Sequence, residues 1–462
     1  MVVARKVRSI GRAARRQPAY RRFGGLARLA VPAVAAALVL GACSEEEPAD
    51  GSDTTAEENG GGDSETSMSV DEATEWFLEY TGGSPVGAEG EPYRIGFPHS
   101  TTAFPEGTQA AEAAVELINT ELGGVGGRPL ELVTCDVATP EDGAKCGAQF
   151  ANDDAIDLVV SGLVLAGNAD LYAALPGKAA ALMATPLDAS DYTNPNAVSY
   201  NTGALGAGMG GAMFVNEDLQ PKTAALVVTD DVAGRGGASV LAPINEAAGV
   251  EVQQVFVPPT ATSAEIAAAL QAAGAGTADV VTLGLFEQGC IAAYDALKSL
   301  GLEPTVVTTS VCTGNAMQEH LEELGEGDAP DGWYFVGGSL LVEELPEGAE
   351  AYVTMAEDLG LGEVAESVAA PIVFSAIMNA AKHVNAVGVE NASFETLDEA
   401  VRGFTGPDML QTGPIECGIP PYIAVCANEI SVSRYVDGKW EAIRSAPGGN
   451  PVDITPYLRP GG

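Results

Sequence analysis

The sequence predicts an α/β protein of two doubly wound lobes, each a parallel sheet with helices on both faces. Three observations carry this expectation. Between residues 93 and 336 short apolar runs alternate with helical patterns, the signature of a parallel sheet with both faces covered. Roughly 370 residues follow Glu91, too many for one ordinary core. The composition, 46% hydrophobic, is that of a chain with enough apolar surface to bury.

The elements follow in order. Residues 1–42 carry nine basic residues and no acidic one, then an apolar run at 29–40, then Leu40-Gly41-Ala42-Cys43. That run is below the roughly 20 residues a membrane-spanning helix needs, so 1–42 reads as a cleaved lipoprotein signal, and Cys43 as the lipid-bearing residue on the outer face of the membrane. Arg21-Arg22-Phe23 is also compatible with twin-arginine export, leaving the route open. Residues 44 to about 68 are acidic and nearly devoid of apolar side chains, so they read as a disordered tether. A short helix at 71–80 sets Trp76, Phe77 and Tyr80 on one face, and 43–90 is taken as a single tether-and-helix unit.

Strands are expected at 93–97, 130–135, 158–161, 179–184, 224–229, 250–257, 280–285, 305–309 and 332–336. Helices are expected at 108–122, 263–273 and 289–300. A long helical stretch covers 363–388, where Pro371 starts a new helix or kinks one. A final hairpin joins 430–435 to 440–443 through Asp437-Gly438.

Charge and cysteines narrow the function classes. The net charge is −42, and without the leader's nine basic residues 13 remain against 64 acidic ones, or −51. Such a chain is repelled by phosphates, which excludes nucleic acid as a partner. Six cysteines besides Cys43 allow fifteen connectivities, and their spacing suggests local disulfides, Cys135 with Cys146, Cys290 with Cys312 and Cys417 with Cys426. A zinc site is a poor alternative. No C-x-x-C occurs and His99, His320 and His383 are far apart, so no metal or other cofactor is assigned.

Motifs that invite a chemical reading mostly have a plainer one. Gly123-Gly124-Val125-Gly126-Gly127 follows a helix and precedes a strand, the reverse of a dinucleotide loop, and reads as a turn. Gly234-Arg235-Gly236-Gly237 does follow a strand and open a helix, so it is either an anion-holding loop with Arg235 adding charge or a tight turn. Asp230-Asp231 reads as solvated surface, His99 as a surface residue or one reaching a cleft, and Trp333 and Tyr334 as core. There is no G-x-S-x-G elbow, and Ser161-Gly162 has no evident histidine partner. A hydrolase would need an activated nucleophile or a metal, so the chain is not read as an enzyme.

Gly96 through Gly107, Ala114, Ile118 and Asn119, the run from Gly123 to Leu130, Cys135-Asp136, 156–162 and Gly413-Pro414-Ile415 together resemble the leucine/isoleucine/valine-type periplasmic binding proteins, the solute receptors of ABC importers. The resemblance runs from about Tyr93 to Trp440, and the Asn119 to Asp136 signature is its most specific part. It implies two α/β lobes joined by three crossovers, 91–203 with 337–427 and 204–336 with 428–462, closing by hinge motion on one small solute. It also implies a monomer, delivery of a small polar solute to ABC permease subunits, and a Cys135–Cys146 bridge of the kind common in the family's lipoproteins. A ligand-sensing receptor for a membrane signalling partner is the alternative, since the same cleft serves both.

Carried over residue by residue, the family's ligand positions fall on Phe104, on Ala166, Gly167 and Asn168 after Leu165, on Leu187, Asp188, Ala189 and Ser190, on Ala233 with Arg235 nearby, on Phe286, Glu287 and Gln288, and on Ser310. Ala166, Ala189 and Ala233 stand where relatives have serine, threonine and tyrosine, and 310–312 lacks the acid that would hold an α-ammonium. A buried zwitterion needs partners at both ends. The set therefore speaks against a simple branched-chain amino acid and for a larger polar molecule, cations included, with Asp188 among its contacts.

Overall fold

The computed structural model describes residues 68–337, 345–410, 413–444 and 450–459. The expected leader, Cys43 and the tether up to residue 67 lie outside them. The first described element is the helix Val70–Thr81, started by a capping box in which Ser69 and Glu72 satisfy each other's backbone N–H groups. Phe77 is fully buried, meeting Phe374 edge-on at 5.8 Å, while Trp76 and Tyr80 stack at 4.8 Å.

Every apolar run expected between 93 and 336 forms a strand. β1 (Tyr93–His99), β2 (Leu130–Asp136), β3 (Ile156–Ser161), β4 (Ala180–Met183) and a short β5 (Val198–Ser199) make a parallel sheet in the order β2-β1-β3-β4-β5. The glycine run before β2 is a turn. Gly123, Gly124, Gly126 and Gly127 all have φ between 58° and 81°, a region closed to most side chains. Asn119 locks this turn by exchanging two hydrogen bonds with the backbone of Leu130, at 3.0 and 2.7 Å, so its amide substitutes for a strand residue.

The second sheet contains β6 (Thr223–Thr229), β7 (Glu251–Val257), β8 (Val280–Gly284), β9 (Thr305–Thr309) and β10 (Tyr334–Val336), all parallel. After a two-residue β11 (Glu429–Ile430), the hairpin β12 (Val432–Val436) and β13 (Lys439–Arg444) adds two antiparallel strands, giving the order β13-β12-β10-β9-β8-β6-β7. Asp437 and Gly438 take φ of 52° and 77°, as a two-residue hairpin turn demands. β11 pairs with β14 (Val452–Asp453) in a separate ribbon.

Helices Pro105–Thr120 and Ala369–Val387 cover one face of the first sheet around Phe97, Leu117 and Phe374, and Phe150 and Tyr172 fill the other. Helices Ser263–Ala272 and Glu287–Leu300 cover one face of the second sheet, Gly203–Phe214 and Val232–Ala247 the other. Each fully buried large side chain contributes about 1.5–3 kcal/mol. The 363–388 stretch divides into a 3-10 turn, Gly362–Glu366, and the helix Ala369–Val387. Pro371 starts rather than kinks it, because a first-turn residue has no intrahelical acceptor for its N–H. Trp333 is buried as expected, just before β10.

All three local disulfides are formed. Cys135–Cys146 ties β2 to the helix Pro140–Ala151, Cys290–Cys312 ties Glu287–Leu300 to the turn Ser310–Thr313, and Cys417–Cys426 closes a loop. Among the described residues no helix is long and apolar enough to cross a membrane.

Candidate ligand-binding cleft

A cavity of about 740 Å³ lies where the carboxyl ends of strands from both sheets converge. The loops after β1, β3 and β4 supply Phe104, Leu165 and Leu187, and those after β6, β8 and β9 supply Ala233, Phe286 and Ser310. Open α/β sheets present ligands at this end of their strands. The wall is mainly apolar and carries three carboxylates, Glu106, Glu287 and Glu429.

His99 organises the first-sheet side from behind. It is 1% exposed, not a surface residue, and Gly107 and Gly162 make room for its ring: a Cβ on Gly162 would stand 2.4 Å from Nδ1. The Leu163 N–H donates to Nδ1 at 3.0 Å, so the ring proton sits on Nε2 and is donated to the Phe104 carbonyl at 2.8 Å. Burial lowers its pKa, which keeps the ring neutral. Two wall loops are thereby joined through one imidazole.

Asp191 does the same for the loop after β4. It is 1% exposed and accepts hydrogen bonds from the backbone N–H groups of Leu187 and Asp188 and from the Asn168 amide. Burial pushes its carboxyl up to about 6 against those bonds. Asp188 itself caps the helix Ala189–Thr193, taking the Ser190 N–H at 2.8 Å and its hydroxyl at 2.6 Å.

On the second-sheet side, Asp231 caps the helix Val232–Ala247 and takes the Gly234 N–H at 2.9 Å. Arg235 pairs with Asp230 and lies 4.7 Å over the Phe256 ring. The possible anion loop is therefore occupied by its own side chains. Glu287 opens the helix Glu287–Leu300 and accepts the Met317 N–H at 3.0 Å, and the Cys290–Cys312 bridge fixes this helix start beside Ser310.

The profile of the periplasmic binding protein family matches residues 98–415, well over half the chain. The chain belongs to that family. Solved structures with the same fold include a leucine binding protein from Thermotoga maritima, 15% identical, covering 76% of this chain and 97% of its own, with a TM-score of 0.58. A branched-chain amino acid substrate-binding protein from Streptococcus pneumoniae in complex with isoleucine is 16% identical, covers 76% and 99%, and gives 0.60. A solute binding protein from R. palustris in complex with 4-hydroxybenzoate is 16% identical, covers 77% and 98%, and gives 0.62. No curated protein matches in sequence. The fold of this periplasmic binding protein is the type I fold expected above, and its family is extracytoplasmic.

Within this binding protein the carried-over positions separate. Phe104, Leu187, Ala233, Phe286, Glu287, Gln288 and Ser310 line the cavity, whereas Ala166, Gly167, Asn168, Asp188, Ala189, Ser190 and Arg235 do not. Asn168, Asp188 and Ser190 are consumed by the hydrogen bonds that build the wall behind Leu187, and Arg235 by its neighbour Asp230. Several wall residues escaped sequence reasoning: Glu106, Asn201, Thr282 and Glu429. Glu106 had a signal, lying two residues beyond Phe104 in the first turn of the next helix. Glu429 had none, because only the return of the chain after residue 427 brings it to the cleft.

Proposed function

We propose that this protein is a solute receptor of an ABC importer, held to the outer face of the cell membrane by a lipid on Cys43, and not an enzyme. Residues 91–203 with 337–427 form one lobe and 204–336 with 428–462 the other, and closure of the two around a bound solute presents the closed form to the permease. The observation that carries this reading is a cavity of about 740 Å³ walled by strand ends of both sheets, the size range of small-molecule sites. Membership of the family supports it. The neighbours from Streptococcus pneumoniae and R. palustris hold isoleucine and 4-hydroxybenzoate, so the fold receives amino acids and aromatic acids alike.

A thermal-shift screen of amino acids, aromatic acids, amides and amines on the detergent-solubilised protein tests binding. At about 100 times its dissociation constant a true ligand adds roughly 2.7 kcal/mol of stability. Uptake of the radiolabelled hit, compared with a strain lacking the protein, then tests delivery. Unchanged uptake with a lost transcriptional response to the solute would argue for sensing.

A further inference from the structure

We propose that the cleft receives a solute with a cationic head and an apolar body, the head seated between Glu106 and Glu287. This rests on the solute-receptor reading and names the ligand class of the same cavity. Glu106 follows β1 and Glu287 follows β8, so the two carboxylates come from opposite sheets. Among the described residues Glu106 has no ion pair and no hydrogen bond from another side chain. Glu287 spends one oxygen on the Met317 N–H, in the first turn of the helix Asn315–Leu324, and keeps its formal charge. Glu429 adds a third negative group to the wall. No described lysine, arginine or histidine lines the cavity, and Arg235, the nearest candidate by sequence, is bound to Asp230.

Elementary electrostatics gives the sign. Half-burial of Glu106 already favours its protonated form, and the Glu287 carboxylate adds repulsion. A carboxylate ligand would bring another negative charge into an apolar cleft with no cation to meet it, whereas an ammonium or amidinium would relieve the pair. Because the acids come from the two sheets, a cation between them also draws the cleft shut. The rest of the wall, with Phe104, Phe286 and Leu187, suits an apolar body. Thr282 offers one polar contact: it is 4% exposed on the cavity wall, and its Oγ1 has no hydrogen-bond partner. Such a group is costly unless something in the cavity takes it up.

The test is calorimetry on the detergent-solubilised protein with matched probes of opposite charge: tryptamine against indole-3-acetate, and phenethylamine against phenylacetate, with leucine as the zwitterion. The amines are expected to bind and the acids not to. Glu106→Gln, which changes the whole-protein charge by one, should weaken amine binding about tenfold, and Glu287→Gln should do likewise while keeping an acceptor for Met317. Thr282→Val should weaken binding without loss of folding stability. Binding of indole-3-acetate, phenylacetate or leucine in preference to the amines overturns the cationic class and leaves the receptor reading intact. Equal amine affinity in wild type and Glu106→Gln overturns the seat. Silence with all five probes overturns the proposal, and silence in the broad solute screen as well counts against the receptor reading itself.

Discussion

The Asn168 amide donates to both carboxylate oxygens of Asp191, at 2.8 Å each. The pair joins the loop after β3 to the loop after β4 behind the cavity wall, so a residue expected to touch ligand instead holds the scaffold that carries Leu187. Asp191 completes the joint with the N–H groups of Leu187 and Asp188.

That joint sets a pH dependence. Asp191 titrates at about 6 in the folded protein against an ordinary 3.8, so between these values the folded state holds the extra proton. Its contribution to stability is complete below the lower value and is lost as pH rises through the upper one, on the order of 2–3 kcal/mol in all. The urea stability of wild type minus that of Asp191→Asn should fall by this amount between pH 4 and 7. Parallel profiles for the two proteins would refute it.

His99→Leu should destabilise the fold by about 1–3 kcal/mol, because it leaves the Leu163 N–H buried without a partner and the Phe104 carbonyl with the Gly107 N–H alone. Ligand affinity should fall as well, since both residues line the cavity. Urea denaturation and calorimetry measure the two effects; an unchanged midpoint would show that the imidazole bridge carries no energy.

Removing the Cys290–Cys312 bridge as the double alanine variant should cost a few kcal/mol of stability and weaken binding of whichever solute the screen yields. The bridge holds the helix start with Glu287 against the turn with Ser310. Loss of Cys135–Cys146, neither cysteine of which lines the cavity, should lower stability with affinity retained. Equal affinity losses in the two variants would contradict this division.

Cys43→Ser should shift the protein from the membrane pellet to the soluble fraction, because the apolar run at 29–40 is too short to span a bilayer. Retention of the variant in the pellet after a high-salt wash would defeat the lipid anchor.

What could be read from the chain alone was local. Apolar runs separated by helical patterns specified the strands, glycines with no alternative at positive φ specified the 123–127 turn, and cysteines about ten to twenty residues apart specified their bridges, since each depends on neighbours along the chain. The site was decided by competition among partners that only the folded chain brings together. Asp188 had Ser190 within reach, Arg235 had Asp230 and the Phe256 ring on β7, and Asn168 had Asp191, so none of them turned to the cavity. Glu106, Thr282 and Glu429 reached it from three distant segments because the sheets place their strand ends around one space. A side chain takes the lowest free-energy partner in three dimensions, and spacing along the sequence determines that partner only when it is also a neighbour in the chain.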